Sequence, residues 1–168
     1  MKKLNTCSYG FTLIEMVVVI LVLSILAATA VARIADTSTQ TRLASLKSFK
    51  GTLFSVANMA KGMCLSDVQC NIDETNGNTS TTIDGHRIYF HYGYPVGWLG
   101  GTDADGAGSL QQLIDSGKFR IDAGQSSTTQ AVYLMEGAPD HTQCKLIYSL
   151  APSNNAAVLS IQTITSGC

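Results

Sequence analysis

Residues 10–32 read GFTLIEMVVVILVLSILAATAVA, and Glu15 is the one charged side chain among them. As an α-helix, the 22 residues from Phe11 to Ala32 would span roughly 33 Å, which is enough to cross a bilayer. An ionised acid inside a membrane helix costs about 2.5 to 3.5 kcal/mol on insertion scales. The stretch therefore predicts a membrane helix whose carboxylate requires a partner.

Two interpretations of this segment leave the carboxylate without a partner. An ordinary signal peptide would be cut after Ala30 or Ala32, because residues 28–30 and 30–32 both satisfy the small-residue A-x-A pattern. The product would then be a secreted soluble domain. An uncut single anchor would instead leave the product tethered to the membrane.

The third interpretation places the cut between Gly10 and Phe11, before the apolar stretch. Lys2 and Lys3 keep the amino terminus in the cytoplasm by the positive-inside bias, so the bulk of the chain crosses the membrane. Cleavage creates an α-amine one helical turn from Glu15, and opposite charges a few ångströms apart attract strongly in a low dielectric. We favour this interpretation because it neutralises the carboxylate.

The residues GFTLIE at positions 10–15, followed by an apolar helix, resemble the prepilin signature of type IV pilins and of type II secretion pseudopilins. The resemblance implies that a prepilin peptidase removes residues 1–10 after Gly10 and that Phe11 is then N-methylated. It also implies that the helix over residues 11–32 is retained as the core of a filament. Glu15 would pair with the Phe11 amine of a neighbouring subunit during assembly.

The sequence departs from this family at two positions of the apolar helix. Many members carry glycine where this chain has Ser24, and proline where it has Ala32. Those residues accompany a bend or a locally unwound stretch. We therefore expect a more continuous helix here.

Beyond residue 32 the pattern becomes amphipathic, with apolar residues at steps of three and four, the mark of one buried helix face. We predict that the helix continues over residues 33–63, with Gly62 as its stop signal. The five basic residues from Arg33 to Lys61 are spread over 29 positions, Asp36 lies among them, and no base-stacking platform of aromatics is predicted, so no nucleic-acid partner is expected. The apolar positions are Leu43, Leu46, Phe49, Leu53, Val56, Ala57 and Ala60.

The remaining residues, 64–168, predict a globular head of strands. A long helix followed by strands indicates an α+β fold. The resemblance implies that this is a pilin fold, in which the N-terminal helix packs on a four-stranded antiparallel sheet. A short helix over residues 109–115 is ended by Gly117, and residues 65–83 are interpreted as a polar loop. The predicted strands are residues 86–92, 131–135, 144–150 and 157–164.

The cysteine count fits removal of a leader, because the odd one of the five is Cys7 and four widely spaced cysteines remain. Such a set, with no C-x-x-C, indicates disulfides in an oxidising compartment. The last two strands should form a hairpin that lets the tail bring Cys168 to Cys144. Among the possible pairings we favour this one together with Cys64 and Cys70.

Composition and motifs argue against other function classes. Without Lys2 and Lys3 the chain keeps 9 basic against 12 acidic side chains, so broad attraction to nucleic acid or acidic lipid is not expected. It lacks G-x-S-x-G, H-E-x-x-H, a Walker loop and a Rossmann glycine pattern, and we predict neither enzyme activity nor a cofactor. No metal site is predicted. Asp103 and Asp105 lack the further ligands of a calcium loop, because Ala107 and Ile114 stand at those positions. His86 and His91, five residues apart, lie on opposite faces of a strand, and His141 is remote in the sequence.

Three short stretches of the head resemble the mannose-sensitive haemagglutinin class of type IV pilins: Tyr92-Gly93-Tyr94-Pro95, Leu113-Ile114 and Ser166-Gly167-Cys168. This resemblance implies a major pilin used in surface attachment by a Gram-negative bacterium. The alternatives are a pseudopilin or a minor pilin, and the secreted soluble domain described above.

The resemblance also implies partners and a location. The subunit would sit in the inner membrane as a single-pass protein with a cytoplasmic amino terminus. Assembly machinery in that membrane would then extract it into a helical homopolymer of identical copies, an extracellular pilus on the cell surface.

Overall fold

A computed structural model of the chain describes residues 11–71, 79–99, 108–153 and 156–168. The fold is α+β, as predicted, with a long helix and two antiparallel sheets. The chain divides into two compact units, Met1–Gln40 and Thr41–Cys168. The elements in chain order are α1 (Leu13–Ser66), β1 (Thr79–Ile83), β2 (His86–His91), β3 (Tyr94–Pro95), a 3₁₀ helix (Leu110–Leu113), β4 (Phe119–Ile121), β5 (Gln130–Met135), β6 (Lys145–Ser153) and β7 (Ala156–Ile164).

The apolar part of α1 forms without interruption at both positions where the family has helix breakers. The stretch Leu13–Val31 is long and apolar enough to cross a membrane, and none of it is buried by the residues that the structure describes. The Ser24 hydroxyl donates to the Ile20 carbonyl at 2.6 Å, and the Thr29 hydroxyl donates to the Leu26 carbonyl at 2.9 Å. These side chains satisfy their polar groups on their own helix, as a low-dielectric surround requires.

The helix ends later than the sequence indicated. It continues through Gly62 to Ser66, so the prediction that Gly62 stops it is wrong by about one turn. Cys64 is fully buried and bonded to Cys70, with Cα atoms 5.2 Å apart. Since burial and the disulfide hold this last turn, the low helix propensity of one glycine does not end the helix.

The core of the second unit forms where one face of α1 meets the four-stranded sheet. Phe49 stacks on Phe119 with ring centroids 4.1 Å apart and meets Tyr133 edge-on at 5.3 Å. Aromatic contacts of this kind add to the stabilisation that burial alone provides. The buried helix residues in this core are Leu46, Phe49, Leu53 and Ala57, all of which belong to the predicted apolar face.

The strands divide between two antiparallel sheets, one of order β4-β5-β6-β7 and one of order β1-β2-β3. The predicted strands at residues 131–135, 144–150 and 157–164 correspond to β5, β6 and β7, whereas residues 86–92 correspond to β2 in the smaller sheet. The Tyr148 hydroxyl donates to the Pro95 carbonyl at 2.7 Å and joins the two sheets. Burial raises the pKa of this hydroxyl well above its usual value.

The cysteines pair as predicted. In the β6–β7 hairpin Lys145 lies opposite Ile164, which brings Cys144 beside the tail. Cys144 and Cys168 are bonded with Cα atoms 4.9 Å apart. The tail passes so close to the chain that a Cβ added at Gly167 would lie 2.5 Å from the Asp140 carbonyl oxygen, so glycine is required there.

Replacing Phe49 by alanine should lower the free energy of unfolding of the second unit by about 3–5 kcal/mol, because the ring leaves a cavity between helix and sheet. Phe54→Ala is the matched control, since this ring is on the same helix but 54% exposed, and it should change stability by about 0.5 kcal/mol or less. Urea unfolding followed by near-ultraviolet circular dichroism measures both. Equal losses would contradict the assignment of Phe49 to the core.

Replacing Cys144 and Cys168 together by serine should cost about 3 kcal/mol of stability, and replacing Cys64 and Cys70 about 2 kcal/mol. The difference arises because the first pair lies 24 positions apart and the second pair 6. Thermal unfolding of the two double variants measures the order. A larger loss from the shorter loop would contradict the chain-entropy account.

Candidate functional site

The start of α1 is held by a reciprocal pair of hydrogen bonds between Thr12 and Glu15. The Glu15 N–H donates to the Thr12 hydroxyl at 3.3 Å, and the Thr12 N–H donates to Glu15 Oε2 at 3.5 Å. This is the capping box, in which a threonine before the helix and a glutamate three residues later satisfy backbone donors that the helix leaves unpaired. Glu15 therefore has a partner within its own chain.

This role of Glu15 was not predicted from the sequence, from which the α-amine alone is expected as the partner of the carboxylate. The signal was present in the T-x-x-E spacing of residues 12–15, which marks a helix start at the sequence level. A negative charge in the first helical turn is also favoured by the helix dipole. The carboxylate thus has a structural role before any assembly.

The cap lies next to a broad exposed apolar surface. Phe11 is 78% exposed, Leu13 82% and Ile14 70%. Gly10, the other predicted processing residue, lies outside the described residues, whereas Phe11 and Glu15 lie within them. The structure brings Phe11, the cap and Glu15 together at the first turn of an uncovered apolar helix.

A network of hydrogen bonds ties the small disulfide ring after α1 to strand β1. The Thr81 hydroxyl donates to the Asp67 carboxylate, and the Asn71 N–H donates to the Thr79 hydroxyl at 2.7 Å. The bond from Thr81, with a second from the Gln69 N–H, lowers the pKa of Asp67. These contacts give the Cys64–Cys70 ring a structural role.

The three histidines do not assemble into a metal site. His86 and His141 are exposed, whereas His91 is buried and meets Tyr92 edge-on with ring centroids 4.4 Å apart. Within the described ranges there is no group of three or more His, Cys, Asp or Glu side chains placed to hold a metal ion. Asp103 and Asp105 lie outside the described residues.

The aromatic residues from Tyr89 to Trp98 lie partly in the core and partly at the surface. Phe90 is fully buried and Trp98 is 7% exposed, whereas Tyr89, Tyr92 and Tyr94 are half-buried. The ammonium group of Lys61 lies 4.1 Å from the centroid of the Tyr94 ring, within the range of a cation–π contact. These residues thus contribute both to the core and to the accessible surface of the head.

A shallow cavity of about 380 Å³ lies between Trp98 and strand β4. Its two charged side chains, Arg120 and Glu136, lie 3.6 Å apart and are largely exposed. They neutralise each other. Apart from these two, the lining holds no acid, histidine or cysteine to serve as a base or nucleophile; the residues are Trp98, Gln111, Ser116, Gly117, Phe119, Arg120, Ile121 and Glu136.

Residues 5–31 match the family model of the prokaryotic N-terminal methylation motif. Neither the search of curated proteins nor the search of solved structures found a match. The match covers the predicted cleavage site, the Thr12–Glu15 cap and most of the apolar helix, and it points to a structural protein rather than an enzyme. The chain thus combines a match to this methylation motif with an exposed apolar helix and a disulfide-bonded α+β head, and the match supports a type IV pilin-like protein.

Proposed function

We propose that this chain is the structural subunit of a type IV pilus, which polymerises into a surface filament used for attachment. The observation that carries the proposal is the coincidence of the methylation motif at residues 5–31 with an uncovered apolar helix, Leu13–Val31. A helix of this kind requires lipid before assembly and neighbouring helices after it.

Maturation would divide the chain into four functional parts. The prepilin peptidase would remove residues 1–10 by cutting between Gly10 and Phe11, and the new amine of Phe11 would be methylated. Residues 11–32 would form the membrane anchor and then the filament core. Residues 33–63 continue the helix, and residues 64–168 form the head outside the inner membrane.

The Thr12–Glu15 cap is compatible with pairing to a neighbour's amine. Both Thr12 donors approach the same carboxylate oxygen, Oε2, at 3.5 Å. An ionised carboxylate has two oxygens, each of which accepts more than one hydrogen bond, so Oε1 is available to a cation. We infer that the cap orients the carboxylate and that the Phe11 amine of an adjacent copy neutralises it.

The energetics of the apolar helix explain why a charge pair between Glu15 and a neighbour's Phe11 amine is needed to align adjacent helices. Exposing a fully buried valine, leucine or isoleucine to water costs about 1.5–3 kcal/mol, so extraction from the membrane must place the helix directly against other helices. Lipid tails are as apolar as these side chains, so the helices gain no hydrophobic driving force by leaving lipid for one another. A buried charge pair then supplies specificity that apolar contacts lack.

Two alternative functions remain distinguishable by experiment. A pseudopilin or minor pilin would share the processing and the helix but would be scarce in filaments sheared from the cell surface. A secreted soluble domain, cut after Ala30 or Ala32, would lose the apolar helix. A pseudopilin or minor pilin would have the assembly machinery of the inner membrane and other copies of the chain as partners. A secreted soluble domain would have neither.

Mass spectrometry of the mature amino terminus tests processing. We expect a polypeptide that starts at N-methylated Phe11, because the match covers residues on both sides of the Gly10–Phe11 bond. A start at Val31 or Arg33 would show that the apolar helix is discarded and would rule out the pilus subunit. Shearing of surface filaments from the same cells then measures the abundance of the chain in them.

Three variants separate the two roles of Glu15. Glu15→Gln retains a side chain that serves in a capping box but loses the charge, and Glu15→Ala loses both. We expect both variants to be cleaved and to reach the membrane, yet to form few filaments.

Thr12→Ala is the matched control, because it removes the cap hydroxyl and leaves the carboxylate. Loss of a cap residue costs about 0.5–2 kcal/mol of helix stability, and filament formation should persist. Electron microscopy of sheared filaments and immunoblots of membranes measure the outcome. Normal piliation in Glu15→Gln would show that the charge is dispensable.

A further inference from the structure

Strand β7 lies at one edge of the four-stranded sheet and pairs with β6 through all nine of its residues. Among the described residues, no other strand pairs with it and no loop backbone donates to its outer side. An edge strand presents unpaired N–H and C=O groups, which serve as a template for a further strand.

The register shows which residues of β7 point their backbone N–H and C=O groups away from β6. The Leu150 N–H donates to the Thr129 carbonyl, and the Cys144 carbonyl accepts from the Met135 N–H, so the even-numbered residues of β6 face β5. In an antiparallel pair, a residue of β6 that bonds to β5 lies opposite a residue of β7 whose N–H and C=O groups point away from β6. Since Leu150 lies opposite Leu159, the outward groups of β7 belong to positions 157, 159, 161 and 163.

The other sheet edges carry features that discourage pairing. Strand β4 has three residues, and its Arg120 forms an ion pair with Glu136 at 3.6 Å. Strand β3 has two residues, one of which is Pro95. Strand β1 is engaged with the preceding loop through Thr79 and Thr81. Short length, charge and proline are the usual protections of an edge.

Strand β7 has none of these protections, because its sequence, AAVLSIQTI, contains neither a charge nor a proline. Val158 is 54% exposed on it. A long uncharged edge strand of this kind is the feature that predicts association through strand addition.

We propose that β7 pairs with β7 of a second copy of this chain, antiparallel and about a twofold axis at Ser160. In this register Leu159 lies opposite Ile161 of the other copy, and position 157 lies opposite position 163. Every outward-facing residue of one copy therefore meets an outward-facing residue of the other. The two four-stranded sheets become one continuous sheet of eight strands.

The side chains favour a second copy over an unrelated partner. The two strands have identical length, and no pair in this register brings two like charges together, a juxtaposition that destabilises strand pairs. Leu159 and Ile161 share the face of Tyr148 and Leu150, which belongs to the core. Pairing Leu159 of one copy with Ile161 of the other extends that apolar face across the axis. On the opposite face of the sheet, Val158 of one copy lies beside Gln162 of the other.

The contact is isologous, so it closes at two copies and leaves the apolar helix free. It goes beyond the proposed function and does not rest on it, because it uses the head alone. In a filament it would join subunits of two separate polymers, since a twofold axis does not propagate along one helical polymer.

Cysteine crosslinking of the full chain in detergent micelles tests the register, with Cys7→Ser as background to remove the odd thiol. Ser160→Cys should give a disulfide-linked dimer under mild oxidation, because the two residues at the axis form a non-hydrogen-bonded pair with Cα atoms about 4.5 Å apart. Val158→Cys is the matched control. Its two copies would lie about 14 Å apart, four residues along the strand, beyond disulfide reach.

We expect at least a tenfold excess of dimer for Ser160→Cys over Val158→Cys on non-reducing gels. Equal crosslinking, or monomer in both, would overturn the proposal. Circular dichroism of each variant confirms that the head is folded. Because the micelles contain no assembly machinery, this result is independent of the filament and of the mature amino terminus.

A charge test checks the same register without cysteines. Val158→Lys with Gln162→Lys places like charges opposite each other twice and should abolish the dimer in sedimentation experiments. Val158→Lys with Gln162→Glu places opposite charges there and should restore it. Loss of the dimer in both double variants, or in neither, would contradict the pairing.

Discussion

The apolar surface of Leu13–Val31 is not covered by any described part of the chain, and this constraint determines the surroundings in which the protein is stable. A helix with exposed valine, leucine and isoleucine along its length is stable in lipid or against other helices and costly in water. Residues 5–31 match the N-terminal methylation motif, and in our proposal the helix uses both surroundings in turn. The single acid at the start of the helix is tolerated because Thr12 caps it and, in our proposal, a neighbour's amine neutralises it.

The head obtains its stability from different sources. Its core lies where one face of α1 meets the sheet, and two buried disulfides fix the end of the helix and the C-terminal tail. The Cys144–Cys168 bond, together with the hydrogen bond from Arg42 to the backbone oxygen of Cys168 at 2.8 Å, secures the tail to the helix. In our proposal the head lies outside the cell, where loose termini invite proteolysis, and this arrangement holds its tail in place. It also leaves β7 as an unprotected edge.

Sequence reasoning identified the elements with strong periodicity or strong β-propensity. The helix face, β5, β6, β7 and both cysteine pairs follow from such patterns. It missed β1, β3 and β4, because TSTTI is polar and the other two strands have two and three residues. A strand of that length has no detectable pattern and exists because its neighbour in the sheet pairs with it. The prediction that Gly62 ends the helix was wrong because tertiary contacts outweigh local helix propensity: the final turn is buried and disulfide-bonded.

The amino-acid sequence by itself determined the apolar helix, its lone acid, the likeness to prepilins and the expectation of disulfides in the head, because each is a local pattern of hydrophobicity, charge or cysteine spacing. Tertiary structure alone decided that the strands divide into two sheets and that β7 is left at an edge. These features depend on which distant groups meet, and residues far apart in the chain compete for the same partners. Strand order and hydrogen-bond direction are outcomes of that competition, so they become visible after the chain has folded.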